Sequence, residues 1–144
     1  RNKQEFIERI CQRQVEDMFL LIEGQPASRI PAFLVCCEVA FVSFMENELF
    51  AKTIPAKLQS YMACGMPILA SATGETERII KEAECGISAA IGKKKELCRA
   101  ILTFMSMNQE DLEKMGRNSR KYSVEHFDKK KILDRMDFVF TDRS

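Results

Sequence analysis

No Cys-x-x-Cys pair occurs in the sequence, and His126 is its one histidine. Zinc centres are built from cysteine and histidine clustered at short spacing, so this sparse supply argues against one. The six cysteines are Cys11, Cys36, Cys37, Cys64, Cys85 and Cys98. Most lie in apolar surroundings and read as small core residues in a reducing cytosol. An excess of one charge is also missing. The formal net charge is +1, whereas wholesale nucleic-acid binding needs a strong positive surplus. No apolar run approaches the ~20 residues of a membrane-crossing helix. The opening "RNKQEF" shows neither an initiator Met nor a signal peptide, as an internal segment of a longer polypeptide would. Internal repeats and low-complexity tracts are absent as well.

What remains is 144 residues, 46% hydrophobic and 30% charged, enough for one soluble domain spanning 1–144 with a real core. Helical spacing of Phe6, Ile7, Ile10 and Cys11 predicts a first helix, and "MFLLIEG" reads as a strand. Ser28 is placed to cap a helix running to Cys37, followed by a strand near "VAFVSF" and a polar loop over 45–54. A helix over 55–64 leads into the strand "MPILAS", a small-residue loop and a helix with Glu75 and Glu77 in its first turn. Gly86 is placed beyond that helix's end, before a weak strand "ISAAI". A helix over 94–106 is expected to bury Leu97, Cys98, Ile101, Leu102 and Met105. Asn108 and Asp128 read as caps of two closing helices, the last packing through Ile132, Leu133, Met136 and Phe140. Strands alternating with helices imply an α/β fold, a Rossmann-like parallel sheet with helices on both faces, followed by C-terminal helices. In such sheets ligands bind beyond the carboxyl ends of the strands.

Two polar segments fall at that edge. In "TIPAKLQS", proline suits a helix start, and the N–H groups of Ala56 and Lys57 would point out of the helix end. Unpaired donors backed by the helix dipole bind anions, and Lys57 adds a point charge suited to phosphate. Thr53 offers a hydroxyl one turn earlier, and Ser60 lies on the same flank while Leu58 and Met62 turn to the sheet. The plain alternative makes Thr53 a cap, Lys57 a solvated charge and Ser60 a filler. The second segment, "SATGETE", presents Ser71, Thr73, the flexible Gly74 and Glu75, whose carboxylate can accept sugar hydroxyls. An ordinary acidic helix start explains it equally well.

The stretch from "AFVSF" through "TIPAKLQSYMACGMPILASATGETERIIKEAECG" resembles the donor-binding domain of a GT-B glycosyltransferase. More narrowly it is similar to glycosyltransferase family 4 enzymes of bacterial surface-polysaccharide synthesis, with their "IPSK", "EYMACGKPI" and "GE" segments. The tail "MGRNSRKYSVEHFDKKKILDRM" resembles that family's closing helices. The resemblance implies a retaining sugar transfer from a nucleotide-diphosphate sugar, by default a UDP-sugar, to a saccharide or lipid-linked acceptor. It implies no cofactor and no metal. Lys57, with Thr53 and the N–H groups of Ala56 and Lys57, would neutralise the leaving diphosphate. Ser60, Thr73, Gly74 and Glu75 would complete the donor contacts.

The resemblance also implies cytoplasmic work at the inner face of the membrane. The basic residues of the closing helices could touch anionic lipid there, although their acidic neighbours favour a solvated surface. It implies further that the chain lacks a first strand-helix-strand unit and the N-terminal acceptor domain, so that alone it should not turn over. Two glutamates common in the family, eight positions apart, correspond here to Lys52 and Ser60. The competing readings are a degenerate α/β binding module and, less favoured, a nucleotide-sugar epimerase.

Overall fold

Among the described residues three short strands, β1 (Ala40–Ser43), β2 (Ile68–Ser71) and β3 (Gly86–Ala89), pair in parallel in that order. The structure is a computed structural model and describes residues 2–45 and 53–141. Among the described residues the α-helices, in chain order, are α1 (Asn2–Gln12), α2 (Ile30–Leu34), α3 (Ala56–Ala63), α4 (Glu75–Glu82), α5 (Lys94–Ser106), α6 (Gln109–His126) and α7 (Lys129–Thr141). The expected α/β architecture, a parallel sheet with helices against it and helices closing the chain, is therefore present. The expected loop over 45–54, Lys52 included, lies mostly outside the described residues.

Register sets Ala40 opposite Ile68 and Ser43 opposite Ser71, and then Ile68 opposite Gly86 and Ser71 opposite Ala89. All four β2 residues are buried, as a central strand covered on both faces requires. On one face Leu69 packs with Ala100 and Phe104 of α5, bordered by Ile87 and Leu97. The opposite pleat carries Ala40, Val42, Ile68 and Ala70, all buried, with α3 lying against β1. Leu58 and Met62 of α3 and Ile79 and Ile80 of α4 are fully buried.

The chain divides into two compact units, residues 1–30 and 31–144. In the first, "MFLLIEG" does not form a strand. Residues Glu16–Met18 make a 3-10 turn in which the Met18 N–H donates to Val15 and that of Phe19 to Glu16. The segment then runs back along α1, with Phe19 edge-on to Phe6 at 5.6 Å and Lys3 bonded to Glu23 at 2.6 Å. A strand needs a ladder partner, and α1 supplies only side-chain contacts.

Further along, Ser28 caps nothing. It lies inside a 3-10 turn (Ala27–Arg29) behind Pro26, and α2 ends at Leu34. On α5 the buried stripe is Ala100 and Phe104 with half-buried Leu97, leaving Ile101, Leu102 and Met105 exposed. Small Ala100 lets the helix approach the sheet, which rotates the bulkier residues outward. Five cysteines are exposed and only Cys85 is buried, so the core reading holds for that one. Apolar neighbours in sequence do not share a helix face.

Gly86 lies beyond the end of α4, as expected. Glu84 takes the left-handed turn at φ 48°, while Gly86 opens β3 against β2. A Cβ at residue 86 would lie 1.8 Å from the Ile68 carbonyl oxygen. The expected caps on the closing helices are in place. The Asn108 side chain accepts from the Asp111 N–H at 2.8 Å and that of Asp128 from Lys131 at 3.0 Å. Ile132, Leu133 and Met136 of α7 are nevertheless exposed (the Phe140 side chain lies outside the described residues).

Candidate functional site

The carboxyl ends of β1 and β2 leave the sheet side by side, because Ser43 stands opposite Ser71 and the Phe44 N–H donates to the Ser71 carbonyl at 3.1 Å. Chain leaving β1 returns as α3, and chain leaving β2 turns directly into α4. The mouths of both helices therefore open on one edge of the sheet, where an α/β fold places its ligand.

Favourable helix formers follow Pro55, which is extended at ψ 141° and serves as the N-cap in place of Thr53. Proline has no side-chain acceptor to offer, and the first helical bond runs from the Gln59 N–H to the Pro55 carbonyl. The N–H groups of Ala56, Lys57 and Leu58 precede that bond and face the mouth. No acidic residue occupies this first turn. The dipole's positive end, worth about half a charge, is thus reinforced by Lys57 rather than cancelled. Lys57, Ser60 and Thr53 are exposed, while Leu58 and Met62 anchor the opposite flank.

At its far end α3 stops in a Schellman turn. Gly65 sits at φ 71°, its N–H donates to Met62, and the Met66 N–H donates to Tyr61 at 3.1 Å. The backbone then drops into Pro67 and β2. Helix α6 fastens this end: Ser119, fully buried, donates its hydroxyl to the Met66 carbonyl at 2.7 Å, and Arg120 donates to the Ala63 carbonyl. The same helix reaches the end of α4 through Asn118, which donates to the Glu84 carbonyl at 3.1 Å.

The α4 mouth has the opposite electrostatic character. Gly74 is its N-cap at φ 72° and ψ −135°, a conformation residues with a Cβ rarely adopt. Thr73 is half-buried beside it, and Glu75 and Glu77 occupy the first turn. Glu75 is not idle. Arg78 grips it through Nη2–Oε2 at 2.8 Å and Nε–Oε2 at 3.1 Å, and also bonds Glu82. The Arg78 hydrogen bond holds the Glu75 carboxyl below the usual glutamate range.

Topology brings the expected residues to this edge in two groups, Thr53, Ala56, Lys57 and Ser60 around α3, and Thr73, Gly74 and Glu75 around α4. Sequence reasoning missed Thr76, which is 1% exposed. The available signal was its spacing: it shares the buried stripe of Ile79 and Ile80, a polar residue where an apolar one is expected.

A cavity of about 600 Å³ lies at the opposite, amino edge, lined by Cys36, Cys37, Glu38, Pro67, Glu113 and Arg117 among others. Among its charged groups, Arg117 stands 3.6 Å from Glu113, and Arg120 donates to the Ala63 carbonyl. No group of three potential metal ligands occurs among the described residues, and none of their helices is long and apolar enough to cross a membrane.

The family model described as "Glycosyl transferases group 1" matches residues 1–122. The chain belongs to that family. The match runs through the sheet, both helix mouths and most of α6, so the carboxyl edge described above is the edge of a glycosyltransferase domain of GT-B type. No curated protein matches the chain.

Proposed function

We propose that this chain is the donor-binding half of a retaining glycosyltransferase. It binds a nucleotide-diphosphate sugar, by default a UDP-sugar, and presents it to a saccharide or lipid-linked acceptor held by another domain. The observation that carries this reading is the α3 mouth: a first turn with free N–H groups, no acidic residue, and Lys57 at its second position. Negative charge builds on the leaving diphosphate as the glycosidic bond of the donor breaks. Fixed donors at a helix mouth stabilise that charge without reorganising. Ala56 and Lys57 supply N–H groups, the Lys57 ammonium supplies charge, and Thr53 borders the same mouth. No metal or cofactor is assigned a part. We further propose that the enzyme works in the cytoplasm, at the inner face of the membrane.

The test is a calorimetric titration of the chain with UDP, beside Lys57→Ala. Binding that weakens strongly in the variant supports the placement, and unchanged binding removes the diphosphate from the α3 mouth. A second reading, a catalytically degenerate binding module, is favoured by one observation. Ser60 stands where the family's glutamate is expected, and Glu75, the nearest substitute, is already engaged by Arg78. Sugar transfer by the parent protein separates the two.

A further inference from the structure

We propose that the open edge of β1, together with the flank of α5 that overlooks it, is an interface for a second copy of this chain. The Ala40 and Phe44 N–H groups donate inward, to the Pro67 and Ser71 carbonyls at 2.9 and 3.1 Å. N–H groups alternate sides along a strand, so those of Phe41 and Ser43 point outward, away from β2. No strand among the described residues pairs with that side, because β1 ends the sheet. Open edges are normally blunted by charge or proline, and Ala40–Ser43 carries neither.

Register sets Phe41 beside Leu69, on the face that α5 covers. That cover stops short. Helix α5 lies over β2 and β3, and Phe41 is left half-exposed, whereas no β3 residue at the other edge is exposed. Parallel sheets are otherwise buried on both faces. Along α5, Cys98, Ile101, Leu102 and Met105 follow the i, i+3, i+4, i+7 spacing of a helix-pairing seam, and all four are exposed. Right-handed crossovers put α3 and α4 on the opposite face, and α5 runs back from the end of β3. The right-handed turn of α5 then carries the seam on its β1 side. Open backbone, a half-exposed aromatic and an apolar helix flank therefore face one way.

Self-complementarity selects the occupant. A twofold axis normal to the sheet sets β1 antiparallel to its copy, so that each outward N–H meets an outward carbonyl, and sets the two α5 helices antiparallel as well. Lys94 and Lys95, exposed at the start of α5, then approach Glu110 and Asp111 of the second copy, exposed just beyond the end of its α5. A parallel pairing would bring lysine against lysine. Charge thus favours the same arrangement that the strand edge needs.

The test is sedimentation equilibrium of the chain from about 1 to 300 μM, the range in which a small interface associates, with amide hydrogen exchange at both ends of that range. A monomer–dimer equilibrium is expected, with exchange at Phe41 and Ser43 slowing as the dimer fills. Leu102→Glu/Met105→Glu and, separately, Phe41→Lys are expected to weaken it roughly tenfold, by placing charge in the seam or at the edge. Lys94→Glu/Lys95→Glu should weaken it roughly three- to tenfold, and adding Glu110→Lys/Asp111→Lys should restore it. A thermal melt of each dilute variant confirms that the monomer still folds. A chain that stays monomeric throughout overturns the proposal, and slow exchange at Phe41 and Ser43 in that monomer shows the edge to be covered from within one chain. Association that the flank and edge variants leave unchanged belongs to another face and overturns it too. So does growth beyond a dimer, which a closed twofold contact forbids. Weakening that the charge exchange fails to restore overturns the antiparallel arrangement.

Discussion

Gly116 of α6 rests against Gly65 at the end of α3 so closely that a Cβ at 116 would lie 2.5 Å from the Gly65 carbonyl oxygen. The contact is between backbones, so no side chain can swing aside. Gly116→Ala should destabilise the chain by about 1–3 kcal/mol, the range for overpacking a rigid site. Denaturant unfolding measures it, and a midpoint equal to wild type would show that the two helices separate freely.

Gly86→Ala should be harsher. The added methyl would overlap the Ile68 carbonyl at 1.8 Å, on the register pair that starts the β2–β3 ladder. A loss beyond ~3 kcal/mol is expected, since the strand must leave the ladder or shift whole. Circular dichroism at increasing temperature would report a chain largely unfolded at growth temperatures.

Removing the Ser119 hydroxyl leaves the Met66 carbonyl without its bond in a buried place. Ser119→Ala should cost about 1–3 kcal/mol. Ser119→Thr, which keeps the oxygen, tests whether the loss is the hydrogen bond: melting near that of Ser119→Ala would assign it to packing instead.

The Glu75 carboxyl is held down by the Arg78 hydrogen bond. Its folded value lies below its unfolded value, so the pair contributes stability above the unfolded value. That contribution is lost as pH falls through the folded one. An NMR titration should place the Glu75 midpoint below that of a free glutamate, and Arg78→Ala should raise it. No movement in the variant would detach the shift from Arg78.

Thiol counting tests the cysteine assignment. Cys36, Cys37, Cys64 and Cys98 are exposed and should react promptly with a thiol reagent at neutral pH, and exposed Cys11 more slowly, because desolvation and the neighbouring Glu16 push its thiol up. Cys85 should react only on unfolding, since burial pushes its thiol up and shields it. Six fast thiols would show that the Cys85 environment opens in solution.

Much of this architecture was legible because several signals coincided. The helix over 94–106 and the caps at Asn108 and Asp128 follow from local side-chain chemistry that needs no tertiary context. The failures share a cause too. Whether "MFLLIEG" becomes a strand depends on a partner elsewhere in the chain, and which side of α5 is buried depends on Ala100 meeting the sheet. The place of Gly86 beyond the helix follows from the sequence, but the need for glycine there does not, because the sequence cannot show that Ile68 runs beside it. At the candidate site the helix starts could be read, but the Arg78 grip on Glu75 and the unpartnered Thr76 hydroxyl depend on side-chain placement.

One helix, α6, holds the tail of α3 through Ser119 and Arg120 and the turn after α4 through Asn118. The amino edge is thus the pivot of two short levers whose free ends are the mouths proposed to face the donor. An eight-residue helix is about 12 Å long, so a tilt of about 5° at the pivot displaces its mouth by ~1 Å. Misplacement on that scale can cost roughly a hundredfold in rate. Substitutions at Ser119 or Gly116 should therefore surface as weakened donor handling at the far side of the sheet, although neither residue lies at the carboxyl edge.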